Sequence, residues 1–378
     1  MITWRCDLSE YKFKLLKESS NYYFPNLSDD QKKAKSKKLE RSVKQIDLEK
    51  IKSINDLVTA YGNASIQARN IGGCADVVEG MMSDSDRPTV FLGLAGPLIA
   101  AGLRKVIRDM IENKMVDVVV STGAILYQDF YQSLGFKHSV GTPEADDREL
   151  RDLYIDRIYD TYVDEDAFWK LDCSIGHFAD ELPAGRYSTR QFLEILGSTI
   201  DDENSILGTA AKHKVPIFAP AINDSSIGIG LTEHYHRCVK EGREGVVIDS
   251  IRDNYELTQV VVQSKCTSAI YVAGGVPKNF INDSVVMAYI FGLDTGGHRY
   301  AIQVTTDSPH WGGLSGSTLS EATSWGKVSK KATHCMAFVE PSVSLPLIVG
   351  SALEKGTCKK RSRIEYDWDS PILKSLKK

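Results

Sequence analysis

The sequence predicts an α/β fold: a doubly wound, mostly parallel sheet with helices on both faces and a helical arm at the N-terminus. From residue 88 onward, short apolar runs rich in β-branched residues end in small residues, and a helical pattern follows most of them. Strands that are apolar along their whole length are typical of a parallel sheet covered on both faces. We therefore expect ligands to bind beyond the carboxyl ends of the strands.

The predicted strands and helices alternate along the chain. Strands are predicted within 89–96, 116–123, 215–222, 245–249, 268–275, 300–306 and 335–340. Helices are predicted near 53–61 and 63–82, and then within 97–114, 125–134, 250–264 and 277–291. Residues 137–200, rich in Asp, Glu and Tyr, are interpreted as an excursion from the same domain, in which Ser188 caps a further helix.

The two ends of the chain differ from this domain. Ser28 and Gln31 form a capping-box pattern that opens a lysine-rich helix with few apolar residues. A solvated helix is favoured over a basic nucleic-acid patch, because the chain as a whole carries a net charge of −4. We predict an N-terminal helical arm at 1–52, a single domain at 53–358 and a frayed basic tail at 359–378.

Composition excludes several classes of protein. The 378 residues are 42% hydrophobic and 25% charged, which is typical of a globular protein with a large core. No apolar run approaches the roughly 20 residues that span a bilayer. The seven cysteines form no CxxC pair. We expect a cytoplasmic protein with no metal site and with neither a membrane nor a nucleic acid as partner.

Two glycine-containing turns follow predicted strands. Gly93 and Gly96 surround the end of the first strand, and Gly274 and Gly275 precede a later helix. Small residues at a helix N-terminus let backbone amides approach a phosphate, but such turns also serve packing alone. Asp224, just past another strand, is equally suited to binding a ribose hydroxyl or to capping a turn.

The segment Trp325-Gly326-Lys327 is the most informative part of the chain. In an extended segment the tryptophan and the lysine share one face, and an aromatic wall that desolvates an ammonium lowers the lysine pKa. A neutral amine can attack an imine carbon. Taken locally, a surface lysine stacked on a tryptophan is the favoured interpretation. The preceding residues 307–324 are predicted to be a long functional loop, in which Glu321 could orient an amine or shuttle its proton.

Residues 321–327, Glu-Ala-Thr-Ser-Trp-Gly-Lys, resemble the E-A-x-S-W-G-K active-site block of the deoxyhypusine synthase family. Supporting segments occur in the family's order at 115–123, 218–224, 273–278 and 344–349. The resemblance implies a homotetramer of Rossmann-like subunits that binds NAD, with active sites at dimer interfaces. It also implies small amine substrates, with a protein lysine as a less favoured acceptor.

The same resemblance assigns roles to individual residues. Lys327 is the implied nucleophile, Trp325 walls its amine and Glu321 binds the substrate amine. The implied NAD contacts are Ala95, Gly96, Thr122, Gly123, Asp224, Gly274, Gly275, Thr306, Asp307, Ser315 and Glu340. The implied substrate contacts, besides Trp325 and Glu321, are Tyr127, Gln128 and Asp129.

Several acids of the family pattern are replaced in this chain. The residues that stand where the family has carboxylates are Tyr127, Gln128, Ile229, Trp311 and Leu314, and Asn279 and Phe280 stand where it has histidines. A more apolar pocket disfavours an unpaired ammonium, so we expect a changed donor or acceptor amine.

The resulting prediction is an NAD-dependent transferase of alkyl groups that moves an aminobutyl-like group between amines through a Lys327 imine. Homospermidine-synthase-like activity is a close variant of it. The alternatives are an NAD-dependent amine or alcohol oxidoreductase without transfer, and a non-catalytic NAD-binding paralogue.

Overall fold

A computed structural model describes residues 26–378 of the chain. The chain divides into two units, Met1–Lys44 and Gln45–Lys378. Within this part of the chain no helix is long and apolar enough to cross a membrane.

The helices, in chain order, are α1 (Asp29–Lys38), α2 (Ile54–Asn63), α3 (Ile66–Ser83), α4 (Arg104–Glu112), α5 (Gly123–Ser133), α6 (Asp147–Asp152), α7 (Glu165–Asp180), α8 (Thr189–Ser198), α9 (Ile206–His213), α10 (Ser226–Glu241), α11 (Ser250–Gln263), α12 (Val276–Ile290), α13 (Leu319–Ser324) and α14 (Pro341–Lys355). The strands are β1 (Thr89–Leu94), β2 (Val118–Ser121), β3 (Ser139–Val140), β4 (Ile155–Ile158), β5 (Thr161–Asp164), β6 (Gly185–Tyr187), β7 (Ile217–Phe218), β8 (Val246–Ile248), β9 (Thr267–Val272), β10 (His298–Val304), β11 (Val328–Ala337), β12 (Glu365–Asp369) and β13 (Ile372–Lys377).

Helix α1 begins with the predicted capping box. The Ser28 Oγ accepts from the Gln31 amide at 3.3 Å, and the Gln31 Oε1 accepts from the Ser28 amide at 2.9 Å. No residue of the helix is buried. The predicted solvated helix is confirmed, because a helix with hardly any apolar side chains has no face to bury.

A six-stranded parallel sheet forms the centre of the second unit, in the order β11-β10-β9-β1-β2-β7. The chain builds one half outward from β1 and then returns to β1's other side to build the second half from β9. This is the doubly wound 3-2-1-4-5-6 order, and its switch point lies between β1 and β9. The predicted fold class is confirmed.

Helices cover both faces of this sheet. Val90 and Leu92 of β1 lie in one hydrophobic core with residues of α3, α4 and α14, whereas Phe91 lies in a second core with residues of α11 and α12. This alternation follows from the two-residue period of a strand. Because both faces are buried, every residue of β1 and β9 is buried, which accounts for their continuous apolar runs.

Three sequence-based boundaries need correction. The strand predicted at 245–249 is not in the central sheet, because β8 pairs with β6 in a separate two-stranded sheet. The helix predicted at 97–114 begins only at Arg104, because residues 97–102 form turns that end at Gly102 with a φ of 82°. The long loop predicted at 307–324 contains a 3₁₀ turn at Pro309–Trp311 and helix α13.

The prediction of a frayed tail at 359–378 is also wrong. Strands β12 and β13 form an antiparallel hairpin whose Leu373 is buried beside α11. Arg361 is buried and its guanidinium donates to Asp117 Oδ2 at 3.0 Å, while the Arg190 guanidinium lies 4.1 Å from the Trp368 ring centroid. The hairpin is ordered because Trp368 and the preceding Arg361 contact Arg190 and Asp117, which are distant in the sequence.

Candidate functional site

Lys327 lies in a turn between α13 and β11. Trp325 ends α13, Gly326 has a φ of 72°, and the Lys327 amide donates to the Ala322 carbonyl at 3.1 Å. The expected extended conformation of 325–327 is therefore wrong, because Gly326 adopts the left-handed region. The turn still brings the two side chains together: Lys327 Nζ lies 5.5 Å from the centroid of the Trp325 ring. The expected aromatic wall is thus formed by a turn instead of a strand.

Helix α12 supplies two polar partners to the Lys327 amine. Lys327 Nζ donates to Asn279 Oδ1 at 3.1 Å and lies 3.2 Å from Asp283 Oδ1. Asn279 Nδ2 in turn donates to Asp283 Oδ2 at 2.8 Å, as their spacing of four residues on one helix allows. The lysine therefore has a carboxylate within reach that can accept its proton. Sequence analysis missed both partners, although their polar pair on one face of a helix after the Gly274–Gly275 turn was a visible signal.

Glu321 faces the same pocket from the first turn of α13. Its amide donates to the Thr318 Oγ at 2.9 Å, which caps the helix and fixes where the Glu321 side chain starts. The pocket has a volume of about 280 Å³, and its lining includes Lys327, Trp325, Glu321, Asn279 and Leu314. The three residues expected to be catalytic are thus assembled around one cavity.

A second lysine, Lys278, is buried behind this pocket with 2% of its surface exposed. Its Nζ donates to the carbonyls of Leu314 and Ser317, at 3.2 and 2.6 Å, and to the Ser317 Oγ at 2.7 Å. The pKa of Lys278 is lowered to about 8, chiefly by burial; the charge of Glu321 opposes this shift and that of Lys327 adds to it. Lys278 fastens the loop that forms one wall of the pocket, a role that sequence analysis did not predict.

The residues expected to contact NAD follow the carboxyl ends of the six parallel strands, so they lie along one edge of the sheet. At the switch point, Gly274 has a φ of 35°, and a Cβ on it would lie 2.1 Å from the Ala95 Cβ. Ala273, with a φ of 53°, is one of few non-glycine residues in the left-handed region. Strained backbone at such a position is typical of ligand-binding turns. The two turns thus pack closely on each other, and their glycines Gly96 and Gly274 are exposed and partly exposed, which fits a backbone that approaches a pyrophosphate.

The remaining cofactor candidates lie at the same edge. Thr122 and Gly123 begin α5, Thr306 and Asp307 follow β10, and Asp224 is exposed in the turn after β7. The Ser315 Oγ donates to Asp307 Oδ2, which joins two of the expected contacts. Glu340 is exposed at the N-terminus of α14, where its Oε2 accepts from the Ser342 amide at 2.8 Å.

Two of the expected substrate contacts are corrected by the structure. Asp129 is 0% exposed: its Oδ1 accepts from Arg104 Nε at 2.6 Å, and its carboxylate also accepts from the Ile206 and Leu207 amides that begin α9. Burial raises the pKa of Asp129, against the opposing effect of Arg104. Tyr127 is buried and donates its hydroxyl to the Phe168 carbonyl at 2.9 Å. Both residues therefore hold α5 in the fold and do not line the Lys327 pocket.

The other residues that replace charged residues of the family pattern also divide into those that line the Lys327 pocket and those that do not. Gln128 is partly exposed, and its Oε1 accepts from the Ala100 amide in the turn after β1 at 3.3 Å. Phe280 packs against the hydrophobic core, and Ile229 is exposed on α10. Of the apolar replacements, Leu314 lines the pocket. Within residues 26–378, no group of three or more His, Cys, Asp or Glu side chains is placed to hold a metal ion.

The family model for deoxyhypusine synthase matches residues 56–352, well over half of the chain. This chain belongs to the deoxyhypusine synthase family. A relative from Methanosarcina acetivorans, named probable deoxyhypusine synthase 2, is 42% identical over 326 residues that cover 85% of this chain and 93% of the relative. A deoxyhypusine synthase-like protein from Chlorobaculum parvum is 44% identical over 323 residues, which cover 84% of this chain and 91% of the relative.

Among solved structures, a crystal structure of a deoxyhypusine synthase candidate from Entamoeba histolytica is similar in fold. Its TM-score is 0.57 at 18% identity, and the match covers 82% of this chain and 96% of that one. At this identity the likeness concerns the fold. It agrees with the doubly wound sheet described above.

Proposed function

We propose that this deoxyhypusine synthase family member is an NAD-dependent transferase that moves an aminoalkyl group between two amines through an imine on Lys327. The observation that carries the proposal is the surroundings of the Lys327 amine. Trp325 walls it on one side, Asp283 and Asn279 contact it on another, and Glu321 faces the same pocket.

The turns at the carboxyl ends of β1 and β9 fit the proposed cofactor. When bound, this cofactor would supply the hydride chemistry, that is, oxidation of the amine-bearing carbon of the donor and reduction of the product imine. Gly96 and Gly274 would offer backbone to its pyrophosphate, and Asp224 and Glu340 would offer carboxylates to its ribose hydroxyls.

The residues around Lys327 supply the group transfer. Asp283 Oδ1, 3.2 Å away, accepts a proton from the Lys327 ammonium, and the free amine adds to the imine carbon of the oxidised donor. The carbon–nitrogen bond to the departing amine then breaks, and the proton leaves with that amine. The aminoalkyl group stays on Lys327 as an imine until a second amine takes it over. Trp325 restricts water around this imine and so protects it from hydrolysis.

The charge of the pocket bears on which amines it accepts. Leu314 replaces an acid of the family pattern, but Glu321 and Asp283 leave two carboxylates near the Lys327 amine. Such a pocket holds fewer ammonium groups than the family pattern provides for. We propose small amines as donor and acceptor, with a protein lysine acceptor less favoured.

The proposed assembly is a homotetramer in which a second subunit covers the pocket. Its support is the exposure of two tryptophans: Trp325 lines the pocket with 67% of its surface exposed, and Trp311, which precedes the lining residue Gly312 in the chain, is 84% exposed. Large exposed aromatic side chains next to a cavity are typical of surfaces that contact a partner.

Borohydride trapping tests the proposed function. The protein is incubated with NAD and single amines from a panel that includes putrescine and spermidine, and then reduced. We expect the intact mass to increase by one aminoalkyl group when NAD is present. Control reactions without NAD, with or without nicotinamide, should show no increase. Lys327→Arg, which keeps the charge beside Asp283 but forms no such imine, should abolish the increase.

One observation favours a second candidate, a non-catalytic NAD-binding paralogue. Lys327 Nζ lies 3.2 Å from Asp283 Oδ1 in an ion pair, and an ammonium is not a nucleophile. Bound NAD without any trapped adduct, over the whole amine panel, would support this candidate. Net accumulation of NADH would instead identify an oxidoreductase that does not transfer a group.

A further inference from the structure

Lys278, in the first turn of α12, is a buried cation that the proposed transfer does not use. It is 2% exposed, and its Nζ donates to the carbonyls of Leu314 and Ser317 and to the Ser317 Oγ. A lysine ammonium has three protons and no acceptor, so these three oxygens can take up all of its hydrogen bonds. All three belong to residues 314–317. The buried charge therefore holds this one segment.

Residues 314–317 lead directly into the amine pocket. Ser317 precedes Thr318, whose Oγ accepts from the Glu321 amide at 2.9 Å and so caps α13. Helix α13 has six residues, which is fewer than two turns. Because so short a helix has little length of its own to fix its direction, its orientation depends on the residues that enter it. A shift at Ser317 is therefore passed on to Glu321 and to the turn that carries Lys327.

The same segment is tied to the carboxyl end of β10. The Ser315 Oγ donates to Asp307 Oδ2, and the Ser315 carbonyl accepts from Gln303 Nε2 at 2.9 Å. Gln303 is a buried residue of β10, and Asp307 is one of the proposed cofactor contacts. Lys278 therefore fastens the piece of chain that joins a proposed cofactor contact to the amine pocket.

This fastening depends on the charge of Lys278. Chiefly through burial, its pKa is lowered to about 8; the carboxylate of Glu321 opposes the shift, and the ammonium of Lys327 adds to it. Residues 314–317 carry no charged side chain. Once the proton is lost, the neutral amine has two protons and a lone pair, so one of its three oxygen partners is left without a donor. The remaining hydrogen bonds weaken as well, because their donor is no longer charged.

We propose that Lys278 is a positioning residue of the transfer reaction, which holds Glu321 and the Lys327 turn in place by fastening residues 314–317. The proposal rests on the proposed function, since it assumes that amines react in the Lys327 pocket. Lys278 acts through the segment and not on the reacting atoms. Its loss should misplace Glu321 relative to the Lys327 amine, and small displacements of reacting groups cost large factors in rate.

The test is the rate at which the borohydride-trapped adduct forms with NAD and spermidine, or putrescine if spermidine does not react, at several pH values. Lys278→Met keeps the length of the side chain and removes its charge. Near neutral pH it should form the adduct about tenfold more slowly than the unchanged protein, or slower still. The ratio of the two rates, which removes pH effects that both proteins share, should fall as the pH rises through about 8. A lysine that served packing alone would give the same ratio at every pH.

Ser317→Ala is a milder variant, because it removes one of the three oxygen partners and leaves the lysine in place. It should also slow adduct formation, and it decides the matter if Lys278→Met does not fold. Lys170→Met, which changes an exposed lysine of α7, is the matched control and should react like the unchanged protein.

Three results would overturn the inference while the proposed function stands. They are a rate for Lys278→Met equal to that of the unchanged protein, a rate ratio that is constant with pH, and, where Lys278→Met does not fold, an unchanged rate for Ser317→Ala. If the unchanged protein is trapped with neither amine, the proposed function fails and this inference fails with it.

Discussion

At the scale of single residues, the surroundings of the Lys327 amine support its proposed role as a nucleophile. Its amine contacts Asp283 and Asn279 and lies beside the Trp325 ring. The sequence pattern identified Lys327, Trp325 and Glu321 because they are neighbours in the chain. Asp283 and Asn279 lie 44 and 48 residues earlier, and only the packing of α12 against the turn at Gly326 brings them close.

Replacing Asp283 should slow formation of the Lys327 imine. In Asp283→Asn the side chain keeps its size and its hydrogen bonding to Asn279, but it can no longer accept the lysine proton. Loss of a positioned general base typically costs about 10²-fold or more in rate. The rate at which the borohydride-trapped adduct forms measures this loss.

The matched control for this change is Asp367→Asn, an exposed acid of strand β12 in the C-terminal hairpin. It should leave the rate of adduct formation unchanged. An Asp283→Asn variant that is trapped as fast as the unchanged protein would show that Asp283 only holds the resting lysine.

At the scale of elements, local patterns predicted most strands and helices, whereas contacts distant in sequence decided the rest. Strands β1, β2, β9 and β10 were predicted because burial on both faces leaves an apolar run in the sequence. The position of β8 and the ordered C-terminal hairpin were not predicted. Strand β8 pairs with β6, and Arg361, just before the hairpin, pairs with Asp117. Asp129, expected to bind substrate, instead caps α9, more than 70 residues away.

The turn between β9 and α12 should tolerate no side chain at Gly274. In Gly274→Ala, the new Cβ would come within 2.1 Å of the Ala95 Cβ at an already strained φ, so the turns of β1 and β9 must move apart. We expect weaker NAD binding and a lower melting temperature. Gly292→Ala is the control, because Gly292 also has a positive φ, 82°, but its Cβ would meet nothing within 4 Å.

Strain alone should therefore lower the melting temperature of Gly292→Ala and leave its NAD affinity intact. Equal NAD affinities for the two variants would contradict a role of the Gly274 turn in cofactor binding.

A buried carboxyl between helices should make stability depend on pH. Asp253 of α11 is buried, accepting from the Thr189 amide and hydroxyl at 2.8 Å, and Thr189 links it to β7 through the Ala219 amide. Desolvation raises the pKa of Asp253 to about 7 from 3.8. Between these two values the folded protein retains a proton that the unfolded chain has lost. The contribution of Asp253 to the free energy of unfolding therefore falls as pH rises through this window and is constant above it.

Asp253→Asn cannot lose this proton, so the difference in unfolding free energy between the unchanged protein and the variant should change with pH. The slope is at most about 1.4 kcal/mol per pH unit, between pH about 4 and about 7. Urea unfolding at several pH values measures it. A constant difference across the window would mean that Asp253 is ionised throughout.

At the scale of the whole molecule, the doubly wound sheet places the proposed cofactor contacts at the carboxyl ends of its strands, whereas Lys327 precedes β11 and its side chain reaches Asn279 and Asp283 of α12. The sequence predicted a parallel sheet, but the strand order and hence the switch point between β1 and β9 came from the structure. The exposure of Trp311 and Trp325 also concerns the whole molecule, because both side chains remain exposed to solvent in a single chain.

The proposed assembly predicts that Trp311 lies in a subunit contact. Trp311→Lys should shift the protein from a tetramer toward smaller species at equal concentration, because a charge replaces an exposed apolar anchor. Analytical ultracentrifugation measures this shift. Trp169→Lys, in the excursion and away from the pocket, serves as the control. A monomeric unchanged protein would contradict the proposed assembly.

The most direct test of the account is to locate the trapped group by peptide mass mapping after reaction with NAD, an amine and borohydride. If Lys327 carries the imine, we expect one aminoalkyl increment on the peptide that contains Lys327 and no increment in Lys327→Arg. An increment on Lys278 or another lysine, or an equal increment in Lys327→Arg, would contradict it.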